Sequence, residues 1–242
     1  MLDFKTVRPL NAKPTQSITL QMMQFDASTP YQSSPAPWQL KGEGYLMLYR
    51  FSNDFLMKEG CIAQGLKPFL WMNIGMVMLV NYQSSPIGPY GELLFIPGMF
   101  HYKGKYYWHI SKIYVSSLDS VMNGRENWGI PKELAQFEFE QLEMGINSAK
   151  VISNGELLFN CQFKDRSFGF PLSTAFLPFQ FIQPLNAKEY ITHPKGSGRA
   201  ILSAPQDLIT GKGLFPSIGT QTRLACLHIP DFSLAFPKPI FL

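Results

Sequence analysis

Cysteine is scarce in this chain of 242 residues: Cys61, Cys161 and Cys226 are odd in number and far apart, and no metal-ligand spacing links them to the four histidines. A disulfide framework and a zinc module are therefore poor descriptions, and the three read as core thiols of a reducing compartment. Ionised side chains are also few, 16% of residues, and the net charge of +4 is spread along the chain. No stretch interleaves clustered Lys and Arg with aromatics, which argues against a nucleic-acid partner. Long apolar runs are missing as well. The most apolar segment, Phe69–Val80, falls short of the roughly 20 residues that cross a bilayer, so no membrane span is expected. Met1-Leu2-Asp3-Phe4-Lys5 lacks the apolar run of a secretory signal, and the expected location is the cytoplasm. Few charges beside 20 phenylalanines point to a surface partly covered in a homo-oligomer.

What is present is punctuation. Gly and Pro number 19 each and leave little room for long helices. The stretches Gly44–Phe51, Phe69–Tyr82, Glu92–Ile96, Lys105–Val115, Ala135–Glu140, Leu157–Phe163 and Thr222–His228 are rich in aromatic and branched residues and bounded by turn formers, which predicts strands. In Gln136-Phe137-Glu138-Phe139-Glu140 the phenylalanines fall on one face and the charges on the other, the pattern of a half-buried strand. Helix candidates are short, Asn53–Gln64 and Ser117–Gly124, the second with Leu118 and Val121 inward. The expected fold class is mainly β, a curved or barrel-like antiparallel sheet with a few short helices. One domain over residues 1–242 is expected, with an irregular lead-in over 1–40. Two pentapeptides recur, at Pro9 and Pro184 and at Tyr31 and Tyr82, without a shared period, so no repeat architecture is implied.

The most informative stretch is Gly124-Arg125-Glu126-Asn127-Trp128-Gly129-Ile130-Pro131-Lys132-Glu133-Leu134-Ala135. Pro131 disfavours helix at Ile130, so Lys132 begins a strand that is expected to run on into Phe137 and Phe139. Its ammonium can be carried into the sheet or snorkel to solvent. Upstream, Ile87-Gly88-Pro89-Tyr90-Gly91-Glu92 is a turn feeding an apolar strand with one carboxylate at its mouth. Glu92 can line a pocket or sit solvated in the turn. Arg125 can bind a substrate carboxylate through its planar fork or pair with Glu126 or Glu92. His109 can act as an acid or base or fill the core. Trp128 and Phe95 can line an apolar pocket or fill the core. Lys195-Gly196-Ser197-Gly198-Arg199 lacks the spacing of a phosphate loop and reads as a mobile turn.

These segments resemble the acetoacetate decarboxylase family, whose members carry a Gly-x-Tyr-x-Glu turn before a strand, then Gly-Arg-Glu and, shortly after, Pro-Lys-Lys-Leu. Here the matching residues are Gly88-Pro89-Tyr90-Gly91-Glu92, Gly124-Arg125-Glu126 and Pro131-Lys132-Glu133-Leu134. The similarity is strongest over Ile87 to Phe139. It implies a large curved antiparallel sheet closing into a cone-like barrel, with Lys132 as the imine-forming lysine and Glu92 as a catalytic carboxylate beside it. Arg125, Tyr90 and Trp128 become substrate-binding candidates. The implied reaction is decarboxylation of a small 3-oxo acid, with no metal or cofactor. Aldol-type condensation, dehydration and ligand binding without turnover are the alternatives on the same scaffold.

The chain departs from the family pattern at Glu133, where the family has a second lysine. Aligned without gaps, a family arginine falls at Glu43 and a family acidic residue at Val77. An amine attacks a ketone only when uncharged, an unperturbed lysine titrates near about 10.4, and burial disfavours the charged form. Successive strand residues point to opposite faces, so Glu133 can lie outside the pocket; beside Lys132 its negative charge would raise the amine's pKa and oppose activation.

Overall fold

The computed structural model describes residues 30–142, 146–166, 168–176, 179–211 and 213–242. Met1–Lys5, the first Pro-Leu-Asn-Ala-Lys and most of the expected lead-in lie outside the described residues. In chain order the elements are β1 (Trp38–Arg50), α1 (Asn53–Glu59), β2 (Leu70–Met72), β3 (Ile74–Ser84), β4 (Tyr90–Ile96), β5 (Met99–Tyr102), β6 (Lys105–Trp108), β7 (Lys112–Val115) and α2 (Leu118–Trp128). They continue with β8 (Lys132–Leu134), β9 (Gln136–Gln141), β10 (Ile146–Ser153), β11 (Glu156–Asp165), β12 (Phe170–Ser173), β13 (Phe181–Leu185), β14 (Lys188–Thr192), β15 (Lys195–Thr210), β16 (Thr222–Phe236) and β17 (Ile240–Phe241).

The larger sheet runs β8-β7-β4-β3-β1-β16-β15-β11-β10-β9, with β12 paired to β15. It is antiparallel except where β7 meets β8 in parallel. Its two end strands, β8 and β9, are consecutive in the chain and joined by Ala135 alone, whose N–H donates to the Val115 carbonyl at 2.9 Å. Ser153 Oγ adds a 3.1 Å bond to the Leu134 carbonyl. The sheet thus curls until its edges meet, a nearly closed barrel of mainly β architecture. This corrects one expectation: Lys132 does not begin a strand that continues through Phe137, because the chain steps at Ala135 from one end of the sheet to the other.

A smaller sheet, β17-β14-β13-β6-β5-β2, packs alongside. The expected strand Lys105–Val115 is two strands, since at His109–Ser111 the chain leaves this sheet for the larger one. The expected strand Phe69–Tyr82 breaks at Asn73, whose side-chain amide donates to the Phe51 carbonyl at 2.6 Å.

Strand alternation sends neighbouring residues into different cores. Val77, Leu79, Leu93 and Phe95 join Met47, Phe159 and Phe163 in one cluster. Met76, Val80, Tyr90, Leu94 and Ile96 join Trp38, Ile113 and Trp128 in the other. All seven residues of β4 are buried. With both faces covered, β4 is apolar except at Glu92.

Helix α2 covers the second core. Ser117 caps its start, Gly129 ends it at φ 65° in the left-handed region, and it runs one turn past the expected end at Gly124. Asp119, Asn123 and Asn127 recur every four residues along one face. Their side-chain oxygens accept from the backbone N–H of Gln32, Ser34 and Ala36 at 2.8, 2.7 and 3.3 Å. An extended lead-in is thereby laced along the helix.

The Gly-rich Lys195–Arg199 stretch is not a turn. It opens the 16-residue β15, and a Cβ on Gly198 would stand 2.6 Å from the Asp231 carbonyl oxygen across the pairing with β16. Close backbone approach, not mobility, accounts for the glycine.

Candidate active site

Lys132 opens β8 and is only 4% exposed. Its Nζ donates to Glu92 Oε2 at 2.9 Å and to Ser120 Oγ at 3.0 Å, and it lies 5.2 Å from the centroid of the Tyr90 ring. Three elements converge here: β8 carries the lysine, β4 carries Tyr90 and Glu92 two residues apart on one face, and α2 carries the serine. Tyr82, opposite Tyr90 on β3, donates through its phenol to Glu92 Oε1 at 3.2 Å. Each carboxylate oxygen of Glu92 therefore has a donor.

Burial pushes the phenols of Tyr82 and Tyr90 well above their ordinary range, and the neighbouring carboxylate of Glu92 pushes both further. Both stay protonated, so Tyr82 is a donor to Glu92 throughout the working pH range.

Sequence and helix geometry explain why the lysine fits. Ser120 and Gly124 are four residues apart and share the face of α2 turned to the sheet. A Cβ on Gly124 would stand 2.5 Å from Lys132 Cδ and 2.8 Å from its Cε. The missing side chain leaves the groove through which the lysine stem passes.

The amine faces a cavity of about 430 Å³, a size usual for organic ligands. Tyr90, Glu92, Trp128 and Lys132 all line it. Trp128 presents its ring while its indole N–H donates to the Pro237 carbonyl at 2.7 Å, and Trp38 and Phe236 brace it edge-on. Among the described residues that line the cavity, Glu92 and Lys132 alone are ionisable acids or bases of the Asp, Glu, Lys, Arg and His types.

Arg125 is not brought into the cavity. Its Nε and Nη2 both donate to the Lys132 carbonyl, at 3.0 and 2.6 Å, so the fork holds the backbone of the lysine. Glu133 points away too, paired with Lys112 at 2.6 Å. Val77 belongs to the opposite core, and Glu43 accepts from Asn81 at 3.2 Å. His109 is a core residue: its Nδ1 lies 3.1 Å from the Ile182 carbonyl, and desolvation lowers its pKa to about 4.

Sequence reasoning missed Ser120 and Tyr82. The first had a signal in its four-residue spacing from Gly124 of the Gly-Arg-Glu motif. The second had none, because a tyrosine at a strand end is core by default. Among the described residues no group of three His, Cys, Asp or Glu side chains is placed to hold a metal ion, and no helix is long and apolar enough to cross a membrane.

An amine buried beside a carboxylate thus stands at the wall of an apolar cavity on a nearly closed barrel. Residues 28–198 match the acetoacetate decarboxylase (ADC) family, more than half of the chain, and the protein belongs to that family. No curated protein sequence matches significantly. Among solved structures, the acetoacetate decarboxylase from Legionella pneumophila superposes with a TM-score of 0.65 at 13% identity, covering 96% of this chain and 98% of that one. An acetoacetate decarboxylase-like enzyme from Sphingomonas wittichii RW1 gives 0.66 at 11%, covering 87% and 94%. The enduracididine biosynthesis enzyme MppR, with HEPES buffer bound, gives 0.66 at 14%, covering 87% and 89%. At such identities the likeness establishes the fold.

Proposed function

We propose that the protein is a lyase that forms an imine between Lys132 and the ketone of a 3-oxo acid and releases carbon dioxide. The observation that carries this reading is the burial of the Lys132 amine against an apolar cavity, with Glu92 at 2.9 Å to exchange its proton.

The lysine must give up a proton to attack. Transfer from Nζ to Glu92 Oε2, 2.9 Å away, frees the amine without the proton leaving the cavity. The free amine adds to the ketone carbon, and the carbinolamine loses water to give an iminium. The bond to the carboxylate carbon then breaks, its electron pair moves into the iminium, and carbon dioxide departs. The resulting enamine takes a proton on carbon, and water hydrolyses the new iminium to ketone and amine. Glu92 is the acid–base group within reach of these transfers. Tyr82 holds its second oxygen, and Ser120 holds the amine.

The reading is tested by incubation with a 3-oxo acid and borohydride followed by peptide mass spectrometry. A reduced adduct on Lys132, absent from Lys132→Ala, is expected. A folded protein that gives no adduct with any oxo acid or ketone contradicts it.

Condensation is a second reading. It is favoured by the absence, among the described lining residues, of any cation besides Lys132 to receive a substrate carboxylate. MppR, which shares this fold, has been seen with the condensation product of pyruvate and imidazole 4-carboxaldehyde. Adduct formation without release of carbon dioxide, and with consumption of an added aldehyde, would select it.

A further inference from the structure

The larger sheet sets a row of side chains, one from each successive strand, behind the amine. Lys132 pairs with Ile113, Ile113 with Leu94, Leu94 with Met78, Met78 with Leu46, and Leu46 with Leu227. These six residues, each on the next strand of the sheet, all line the cavity. Leu46 and Met78 stand on central strands yet are only half-buried, because their outer faces open into that space. The row is apolar from its second member onward.

The reactive nitrogen sits over β4, within hydrogen-bond distance of Glu92. Ahead of it lie β3, β1 and β16, three strand spacings or about 14 Å. An extended alkyl chain with bonds of roughly 1.5 Å advances about 1.3 Å per carbon, so the row accommodates at most about eleven carbons. A four-carbon oxo acid would leave most of this surface without a partner.

We infer that the substrate carries an unbranched apolar tail of about eight to ten carbons that lies along Leu94, Met78, Leu46 and Leu227, with its carbonyl at Lys132 and no second charge on the tail. This rests on the imine reading for the position of the carbonyl, while the tail site stands on the row itself. The small oxo acid expected from the family resemblance is replaced by a medium-chain one.

The test uses the full chain and methyl ketones from 2-butanone to 2-dodecanone. Equilibrium binding is followed by tryptophan fluorescence, since Trp38, Trp108 and Trp128 line the cavity. Borohydride trapping on Lys132 is read separately. Affinity should tighten about fourfold per added methylene up to about 2-decanone and then level off. 9-Oxodecanoate, with a carboxylate at the far end of the tail, should bind more than tenfold more weakly than 2-decanone. Met78→Trp should shift the preference toward shorter ketones, read as the ratio of 2-hexanone to 2-decanone affinity within the same variant. Affinity that is flat or falls beyond 2-hexanone, or equal binding of the ω-carboxylate, overturns the inference and leaves the imine reading intact if adducts form. Affinity that rises with chain length without any adduct supports the tail site and removes the imine reading.

Discussion

Gly124 of α2 lies against the stem of Lys132, so that a single added methyl group at that position would stand 2.5 Å from the lysine Cδ. Backbone and side chain cannot both keep their places if the glycine is replaced. Gly124→Ala is therefore expected to displace the amine from Glu92 and Ser120, reduce imine formation at least tenfold, and cost about 1–3 kcal/mol through overpacking. Borohydride trapping alongside denaturant unfolding checks this. Trapping at the parental rate would show that the groove is not needed.

Glu92→Gln keeps the size of the side chain but removes the group that takes the proton of the amine. Imine formation should slow by about 10²–10⁴, the usual contribution of a positioned acid–base group, with the fold intact by circular dichroism. Single-turnover trapping reads the effect. A loss smaller than threefold would mean the proton leaves by another route.

Arg125 holds the backbone carbonyl of Lys132 with two donors and does not line the cavity. Arg125→Lys keeps the charge but not the two-pronged geometry. It should lower thermal stability and the rate of imine formation together, by factors that are the same for a 3-oxo acid and for the matching neutral ketone. A loss confined to the carboxylate-bearing compound would return Arg125 to the substrate-binding role.

How much of this was legible in sequence depends on the residue. Lys132 and Glu92 stand in motifs whose order resembles a family, and the strand after Pro131 follows from the constraint on Ile130. Burial on both faces of β4 was visible as the run Glu92–Ile96. By contrast, β15 was obscured because Gly196 and Gly198 look like turn formers when their reason is a neighbouring backbone. The closure at Ala135 is a long-range event, since nothing within Glu133–Gln136 announces that one residue links opposite ends of a sheet. The lacing of Gln32, Ser34 and Ala36 onto Asp119, Asn123 and Asn127 pairs a two-residue period with a four-residue one across about ninety positions. Only the folded chain brings those periods together.

His109 sets a pH dependence of stability. Its folded-state pKa of about 4 lies below the ordinary histidine value, so between about pH 6.5 and pH 4 the unfolded chain binds a proton that the folded chain does not. Stability present above about pH 6.5 should fall as pH drops through this window, by up to about 3 kcal/mol. His109→Gln should flatten that part of the curve. Urea unfolding at pH 7 and pH 4.5 on both proteins reads it, and an unchanged slope in the variant would assign the effect to other groups.

Oxygen exchange probes the central chemistry most directly. Each imine formed and hydrolysed at Lys132 replaces the oxygen of a ketone with one from water. 2-Octanone incubated in ¹⁸O-enriched water should therefore gain label far faster with the protein than without it, and Lys132→Met should return the rate to background while remaining folded. Equal exchange by the two proteins, or none by either, would contradict an imine at this lysine.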